Sequence, residues 1–315
     1  MKILITGSGG YLGGRLTNAL SKKHNIRTVS SSPNAAFFSL DPSISNMMIN
    51  WENAEDLHNV TKGIDVVIHA YGLNADGCEK SFNNAYDMNA VHTGNILTCA
   101  IKNDVKQFIY LSTAHVYGEL NGYIDESTPL KAAHPYGSSK RSGEDLVRYL
   151  AGKNKKINYQ ILRLANVFGS PLAGNKTCWN LLANDLCLQA IKNNSLQLKT
   201  NGLQSRNFLT MSDFLMAIEH LIMDSIENGV YNIGRNKSIT VLEMANLVAE
   251  RYINMFGRGI EIHKNDADHS EENLIHYDCA KLVSTNFHFK NNFIKEVDDI
   301  LSYLSLEKNK KSNIP

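Results

Sequence analysis

The chain has 315 residues, 43% of them hydrophobic, which is enough to bury one large core or two modest ones. Its 32 basic and 31 acidic residues give a net charge of +1, so neither a nucleic-acid footprint nor a polybasic membrane patch is expected. The five cysteines include no Cys-x-x-Cys pair, which argues against a disulfide framework and a metal site. With a first strand predicted from Lys2 and no apolar run near the ~20 residues of a membrane span, we expect a soluble, cytoplasmic protein.

The N-terminal stretch places a glycine-rich turn between a short apolar run and a helical pattern. Gly7 can adopt the positive φ of a tight turn, Gly10 lets the backbone approach a pyrophosphate, and Gly13 lets the helix lie close to the strand. The N–H groups and the dipole at the helix start attract phosphate. This context favours dinucleotide binding over a purely structural turn. The predicted cofactor contacts here are Gly7, Gly10, Tyr11, Leu12 and Gly13.

The end of the second predicted strand, at residues 26–29, bears on the choice of cofactor. An acidic residue at this point would bond the 2′-hydroxyl of the adenosine ribose. The sequence instead has Ser30 and Ser31, which could accommodate a 2′-phosphate, and no arginine follows directly. We expect both serines to contact the cofactor, and the choice between NAD and NADP stays open.

Strands and helices then alternate along the chain. Further strands are predicted at 47–49, 65–70 and 107–112, with helices at 11–23, 54–60, 81–103 and 136–151. The continuous apolar run at 65–70 is typical of a strand that is covered on both faces of a parallel sheet. The alternation favours a doubly wound α/β sheet, in which ligands bind at the carboxyl ends of the strands.

Two stretches carry groups suited to acid/base chemistry. Ser112, Thr113 and His115 follow a predicted strand, where two hydroxyls and an imidazole are well placed for a ligand. Tyr136 and Lys140 lie four residues apart and therefore share one helix face. An ammonium close to a phenol favours the phenolate and lowers the pKa of the phenol, as a general base at neutral pH requires.

Together these stretches resemble the extended branch of the short-chain dehydrogenase/reductase superfamily, the NAD-dependent epimerase/dehydratase family. The motifs are Thr6-Gly-x-x-Gly-x-x-Gly13, Asp65 with His69-Ala70, Asn89 in Met-Asn-Ala-Val, Ser112-Thr113 with Tyr117-Gly118, Tyr136-x-x-x-Lys140, Arg163 with Asn166, Arg206-Asn207-Phe208, Tyr231-Asn232-Ile233-Gly234, and Asp278 with Lys281. The resemblance implies a Rossmann-type dinucleotide-binding domain at 1–170, with a return of 207–235. A smaller C-terminal α/β substrate domain would comprise 171–206 and 236–315.

The resemblance also implies roles for individual residues. Tyr136 would be the catalytic acid/base, Lys140 would lower its pKa and bond the nicotinamide ribose, and Thr113 would hold the substrate oxygen. Ser112 would support the cofactor side or the strand end. The further cofactor contacts implied in this way are His69, Ala70, Asn89 and Ser112.

The family's usual substrates are nucleotide-activated sugars. Asn166 and Arg206 match residues that contact the substrate phosphates in related enzymes, although a surface ion pair is the alternative for Arg206. Trp179 and Asn180 lie where the family's substrate pocket forms, in a stretch at 177–187 that we predict to open a helix. Core packing is the alternative for Trp179.

The sequence departs from the family pattern at three points. In dTDP-glucose 4,6-dehydratase-like enzymes the catalytic threonine is followed by Asp-Glu, whereas this chain has Ala114 and His115, so dehydration is not expected. His115 falls where GDP-fucose synthase-like enzymes carry a cysteine that moves ring protons, so His115 is either a second acid/base or a loop histidine bonded to backbone. The usual Arg-Asp reads Arg206-Asn207.

The leading interpretation is an NAD(P)-dependent oxidoreductase acting at a ring carbon, C4, of a nucleotide-linked sugar, as a dehydrogenase, ketoreductase or epimerase. One alternative is a reductase of a non-nucleotide ketone. The other is a non-catalytic NAD(P)-sensing regulator, against which the Tyr136/Lys140 pair argues. The resemblance also implies a homodimer.

Overall fold

The computed structural model describes residues 1–30, 41–172, 177–265, 267–269 and 271–312. The strands are β1 (Lys2–Thr6), β2 (Asn25–Ser30), β3 (Ile44–Met48), β4 (Val66–His69), β5 (Gln107–Thr113), β6 (Gly122–Ile124), β7 (Asn158–Leu164), β8 (Asn166–Phe168), β9 (Ser195–Gln197), β10 (Ser205–Arg206), β11 (Phe208–Thr210), β12 (Gly229–Ile233), β13 (Ile239–Thr240), β14 (Glu261–His263) and β15 (Ile275–Tyr277).

The helices are α1 (Tyr11–Leu20), α2 (Ala54–Thr61), α3 (Ala75–Lys80), α4 (Phe82–Tyr86), α5 (His92–Lys102), α6 (Pro135–Lys153), α7 (Leu182–Asn193), α8 (Met211–Met223), α9 (Val241–Phe256), α10 (Ala280–Val283) and α11 (Phe293–Ser312). A π-helical turn (Asp87–Val91) links α4 to α5, and a 3-10 turn (Ala114–Tyr117) follows β5. In the parts of the chain described here, none of the helices is both long and apolar enough to cross a membrane.

Within the described residues, the central sheet has seven strands in the order β3-β2-β1-β4-β5-β7-β12. Every neighbouring pair from β3 to β7 is parallel, and Thr6 pairs with His69 at the carboxyl ends of β1 and β4. The strand order reverses at β1, which is where doubly wound sheets bind their ligands. The predicted fold class is confirmed.

The predicted helix over 81–103 is wrong as a single element. The chain forms α4, the π-helical turn and α5 in succession. Within this turn the carbonyl of Asn89 accepts hydrogen bonds from the hydroxyls of Tyr110 and Thr93. These side-chain bonds compete with the regular helical ladder, which is a recognised cause of local distortion.

The chain divides into two compact units, each with its own core. The first unit comprises 1–120, 126–164 and 218–232, and the second comprises 121–125, 165–217 and 233–315. These limits differ in detail from the predicted domains, because 121–125 and 165–170 belong to the second unit and the return to the first is 218–232. One core of the first unit packs the sheet against α2, α5 and α6, and the core of the second packs α7, α9 and α11.

We predict that Gly13→Ala destabilises the first unit. A Cβ at Gly13 would lie 2.1 Å from the carbonyl oxygen of Gly7, a backbone atom that cannot swing away. Overpacking of this kind should lower the free energy of unfolding by about 1–3 kcal/mol in urea titrations. Gly152→Ala near the end of α6 is the control, since its Cβ would have no described heavy atom within 4 Å. Equal stability of the two variants would contradict the close packing of α1.

Candidate active site

The glycine turn meets the end of β4 directly. Gly7 has φ +70, and a Cβ there would lie 2.6 Å from the carbonyl carbon and oxygen of Ala70 and 2.7 Å from the nitrogen of Tyr71. Gly10 caps α1, and a Cβ on Gly10 would meet, within 4 Å, one described heavy atom, the Gly7 oxygen 3.2 Å away. The turn therefore leaves the space before the helix N-terminus for a ligand, as a bound pyrophosphate requires. Of the other predicted contacts in this stretch, Tyr11 is buried and Leu12 is partly buried.

The end of β2 gives less information about the cofactor. The predicted contact Ser30 ends the strand, and its backbone alone is described. The other predicted contact, Ser31, lies outside the described residues.

His69 is fully buried, and its ring is held from both sides. The Thr6 hydroxyl lies 2.9 Å from Nδ1 and the Thr93 hydroxyl lies 3.0 Å from Nε2. Burial lowers the pKa of His69 well below its ordinary value, and the charges of Lys140 and His92 lower it further, so the ring stays neutral. Because both ring nitrogens are engaged, a cofactor would meet the backbone here rather than the imidazole.

Asn89 joins the loop after β4 to helix α6. Its Oδ1 accepts from the nitrogen of Leu73 at 2.8 Å, and its Nδ2 donates to the Ser139 hydroxyl at 3.0 Å. Cys78 packs against the same amide, with its sulfur 3.5 Å from Nδ2. The side chain predicted to touch the cofactor is thus buried among protein groups, and its visible role is to hold this loop.

Three of the predicted catalytic residues, Thr113, His115 and Tyr136, lie together near the end of β5. The Thr113 hydroxyl accepts from the backbone nitrogen of His115 at 3.2 Å, and the Thr113 side chain also hydrogen-bonds Tyr136. The exposed ring of His115 meets the ring of Tyr136 edge-on, with 5.6 Å between centroids. A Cβ at Gly137 would lie 2.4 Å from the His115 oxygen, so helix α6 begins directly against this turn.

Lys140 lies one helical turn beyond Tyr136 and is buried, with 6% of its surface exposed. Its Nζ sits 4.6 Å from the centroid of the Tyr110 ring, which offsets part of the desolvation of the ammonium. Burial lowers the pKa of Lys140 to about 8, against the opposing effects of Cys78 and Glu144. Lys140 is therefore mostly protonated at neutral pH.

The pKa of Tyr136 is raised, whereas the sequence predicts a lowered value. Removal of the phenol from water is the largest cause, and it outweighs the hydrogen bond from Thr113, which lowers the pKa. The predicted lowering by Lys140 is therefore not realised in this arrangement of side chains.

Ser112 precedes Thr113 and was predicted to support the cofactor or the strand end. Its hydroxyl donates to Oε1 of Glu144 at 2.5 Å inside the first unit. Glu144 in turn forms a buried ion pair with Arg163, with 2.8 Å between Nη2 and Oε2. Sequence reasoning did not single out Glu144, although its position four residues beyond Lys140 puts it on the same helix face.

Four of the predicted substrate contacts, Asn166, Trp179, Asn180 and Arg206, belong to the second unit. Asn166 starts β8, and its Nδ2 donates to the carbonyl of Asn207 at 2.8 Å. Arg206 is exposed on β10 and makes no ion pair with any residue in the described ranges, so the alternative of a surface ion pair is not seen. Asn207 accepts from the nitrogen of Arg235 and donates to its carbonyl. An aspartate could not donate, which gives the departure from the family's Arg-Asp a physical consequence.

Trp179 and Asn180 lie in a turn, and the helix predicted to open at 177 begins only with α7 at Leu182. Trp179 is partly buried and packs on the core of the second unit, with its ring stacked on Tyr303 at 6.1 Å between centroids. Asn180 is exposed. The packing alternative for Trp179 is therefore seen in the structure.

The chain belongs to the NAD dependent epimerase/dehydratase family, whose model matches residues 3–234. This confirms the resemblance drawn from the sequence and the prediction that the protein is an NAD(P)-dependent enzyme. The residues around the glycine turn fit such a cofactor, since the turn opens at the helix N-terminus at the point where the strand order reverses.

Relatives extend the comparison to nearly the full chain. An uncharacterized UDP-glucose epimerase of Bacillus subtilis is 28% identical over 312 residues, which cover 89% of this chain and 93% of the relative. A putative UDP-glucose 4-epimerase of Methanocaldococcus jannaschii is 28% identical over 261 residues, covering 78% and 81%. The structure of a UDP-glucuronic acid 4-epimerase from Bacillus cereus has a TM-score of 0.81 at 22% identity, covering 98% of this chain and all of that one. This likeness confirms the fold.

We predict that Gly10→Val abolishes NAD binding while the protein stays folded. The isopropyl group would fill the space in front of α1 through which a pyrophosphate must pass. Isothermal titration calorimetry measures the loss of binding, and circular dichroism checks the fold. Gly259→Val is the matched control, because a Cβ there would meet no described heavy atom within 4 Å. Parental affinity in Gly10→Val would place the phosphate site elsewhere.

Proposed function

We propose that the protein is an NAD-dependent oxidoreductase that acts at C4 of a nucleotide-linked sugar, as a 4-epimerase. The observation that carries this proposal is the cluster of Thr113, Tyr136 and Lys140 at the carboxyl end of the sheet in the first unit. The names of the relatives support it, since the two curated relatives are UDP-glucose epimerases by name and the Bacillus cereus structure is a 4-epimerase.

Tyr136, Thr113 and Lys140 each have a separate role in the reaction at one carbinol carbon of the sugar. A bound nicotinamide ring supplies the hydride acceptor and donor. Tyr136 takes the proton of the sugar hydroxyl and later returns it, while Thr113 donates a hydrogen bond to the same oxygen and fixes its position. Lys140, whose ammonium is buried in the first unit, would bond the nicotinamide ribose.

The position after Thr113 argues against dehydration. Ala114 and His115 stand where dehydratase-like relatives carry Asp-Glu, so the pair of carboxyl groups used for elimination of water is missing at these two positions. The exposed His115 ring lies beside Tyr136, but epimerisation at C4 needs no second acid/base. Two hydride transfers on opposite faces of a rotated ketone suffice. A simple C4 dehydrogenase or ketoreductase uses the same residues.

We also propose contacts to the nucleotide part of the substrate. Arg206, exposed on β10, would form a forked contact with the diphosphate, and Asn166 would contact a phosphate oxygen. Trp179 and Asn180 would border the nucleotide or sugar. We propose NAD rather than NADP, because the Bacillus cereus structure is a complex with NAD.

We further propose that the enzyme works as a cytoplasmic homodimer. Large apolar side chains are exposed on neighbouring helical segments of the first unit, and the Tyr86 hydroxyl donates to Ser138 on α6. The exposed residues are Phe82, Tyr86, Val91 and Tyr149. An exposed apolar face of this kind is typical of an interface with a second copy.

The first test of the proposed function is Tyr136→Phe. This change keeps the ring and removes the acid/base, so we expect NAD and UDP-hexose binding to persist while turnover falls by roughly 10²-fold or more. NMR detection of the C4 epimer, over a panel of UDP-hexoses, measures turnover. Tyr159→Phe is the control, since Tyr159 lies near the start of β7, at the opposite end of the parallel sheet from Thr113. Turnover near the parental rate in Tyr136→Phe would move the chemistry to another residue.

The second test concerns His115. If the reaction is confined to C4, product formed in heavy water should carry no carbon-bound deuterium, and His115→Asn should change turnover only slightly. Mass spectrometry of the product measures incorporation. Deuterium beside the ketone carbon in the parent, lost in His115→Asn, would instead show that His115 moves ring protons.

A further inference from the structure

A buried ion pair lies beneath the candidate catalytic groups. Glu144 is 0% exposed and Arg163 is 2% exposed. The Arg163 guanidinium donates hydrogen bonds to the Glu144 carboxylate from both Nε and Nη2, with 2.8 Å between Nη2 and Oε2. Neither residue takes part in the reaction proposed above.

On one side the pair reaches the two elements that carry the reacting groups. Oε1 of Glu144 accepts the hydroxyl of Ser112 at 2.5 Å, and the next residue in β5 is Thr113. Glu144 itself lies one turn beyond Lys140 on α6. The carboxylate therefore ties the end of β5 to the helix that bears Tyr136.

On the other side the pair reaches the turn that carries His115. Nη1 of Arg163 donates to the Tyr117 hydroxyl at 2.9 Å, and the guanidinium lies 4.8 Å from the centroid of the same ring. The Tyr117 hydroxyl donates to Oδ1 of Asn232 at 2.7 Å. Tyr117 ends the 3-10 turn that begins at Ala114, so β5, this turn, α6 and β7 share one network.

A buried ion pair contributes little to the free energy of unfolding, because desolvation of both charges offsets most of their attraction. Its directional bonds instead fix the relative position of the elements that carry them. Catalytic groups are sensitive to such placement, since shifts of about 1 Å cost up to about 10²-fold in rate. The network spans the elements that hold Thr113 and Tyr136, where placement matters most.

We propose that Glu144 and Arg163 are positioning residues, which hold Thr113 against Tyr136 and Lys140 through the Ser112 hydroxyl. The inference rests on the proposed function, since it assigns these residues to the same reaction.

The charge of Glu144 also affects how activity depends on pH, because it acts on the pKa of Lys140. The groups that face Lys140 are His69 from β4, Cys78 from α3, the Tyr110 ring from β5 and Glu144 from its own helix, on which Tyr136 lies one turn before Lys140. Glu144 raises the pKa of Lys140, and burial lowers it. Loss of the Glu144 charge should lower that pKa further, so activity that requires the ammonium would be lost at a lower pH.

The test compares Ser112→Ala and Glu144→Gln with the control Ser142→Ala. Ser142 lies on the same helix and donates only within it, to the carbonyl of Ser138, so its removal should change nothing. For Ser112→Ala we expect kcat per folded enzyme to fall by about tenfold, with KM for both substrates within about twofold of the parent. For Glu144→Gln we expect the same fall and a shift of the alkaline limb of the kcat profile to lower pH.

Three outcomes would overturn the proposal. The first is a parental kcat in folded Ser112→Ala. This result would overturn the positioning role even if Glu144→Gln does not fold. Another is a raised KM for NAD with unchanged kcat, which would make Ser112 a cofactor contact. The third is an unmoved pH profile in folded Glu144→Gln.

The network can also be tested without a substrate. If the parent turns over none of the nucleotide sugars, the proposed function fails, and amide hydrogen exchange then tests the network by itself. Ser112→Ala should speed exchange in 112–117 and 136–144 and leave the rest of the first unit unchanged. Uniform exchange across that unit would overturn the positioning role.

Discussion

The charge on Lys140, held almost out of water at the end of a parallel sheet, is the constraint that organises the first unit. An ammonium in this place requires partners, and the chain provides the face of Tyr110 and the carboxylate of Glu144. Glu144 is itself fully buried and requires a cation of its own, which is Arg163. Each buried charge thus requires a partner, because an unpaired buried charge would cost several kcal/mol. The result is a connected set of buried polar groups inside the first unit.

The parallel topology places this network where chemistry is feasible. The carboxyl ends of β1, β4 and β5 lie at one edge, so the glycine turn, the His69-to-Leu73 loop and Thr113 converge without any long excursion of the chain. The loop is fixed by Asn89 and the glycine turn rests on Ala70. Dinucleotide and acid/base groups can therefore share one edge of one unit.

Much of this was predictable from the sequence, since glycine spacing, apolar runs and the Tyr-Lys spacing are local signals. The π-helical turn was not, because it depends on bonds from Tyr110 and Thr93 to the carbonyl of Asn89 across the fold. Ser112 was expected near the cofactor, yet its hydroxyl is committed to Glu144, a residue 32 positions away. Likewise the raised pKa of Tyr136 follows from burial, which no spacing reveals. Local patterns specify elements and candidate residues, whereas the partners of each polar group are set by tertiary contacts.

The central claim is that C4 of a nucleotide sugar is oxidised and reduced again within one active site, with Tyr136 as acid/base. The most direct measurement follows a UDP-hexose that carries deuterium at C4, incubated with the enzyme and NAD in ordinary water and analysed by NMR. The account predicts an inverted C4 that retains its deuterium, because the hydride that leaves is the one that returns. Inversion with loss of the label to water, or no inversion with any UDP-hexose, would contradict it.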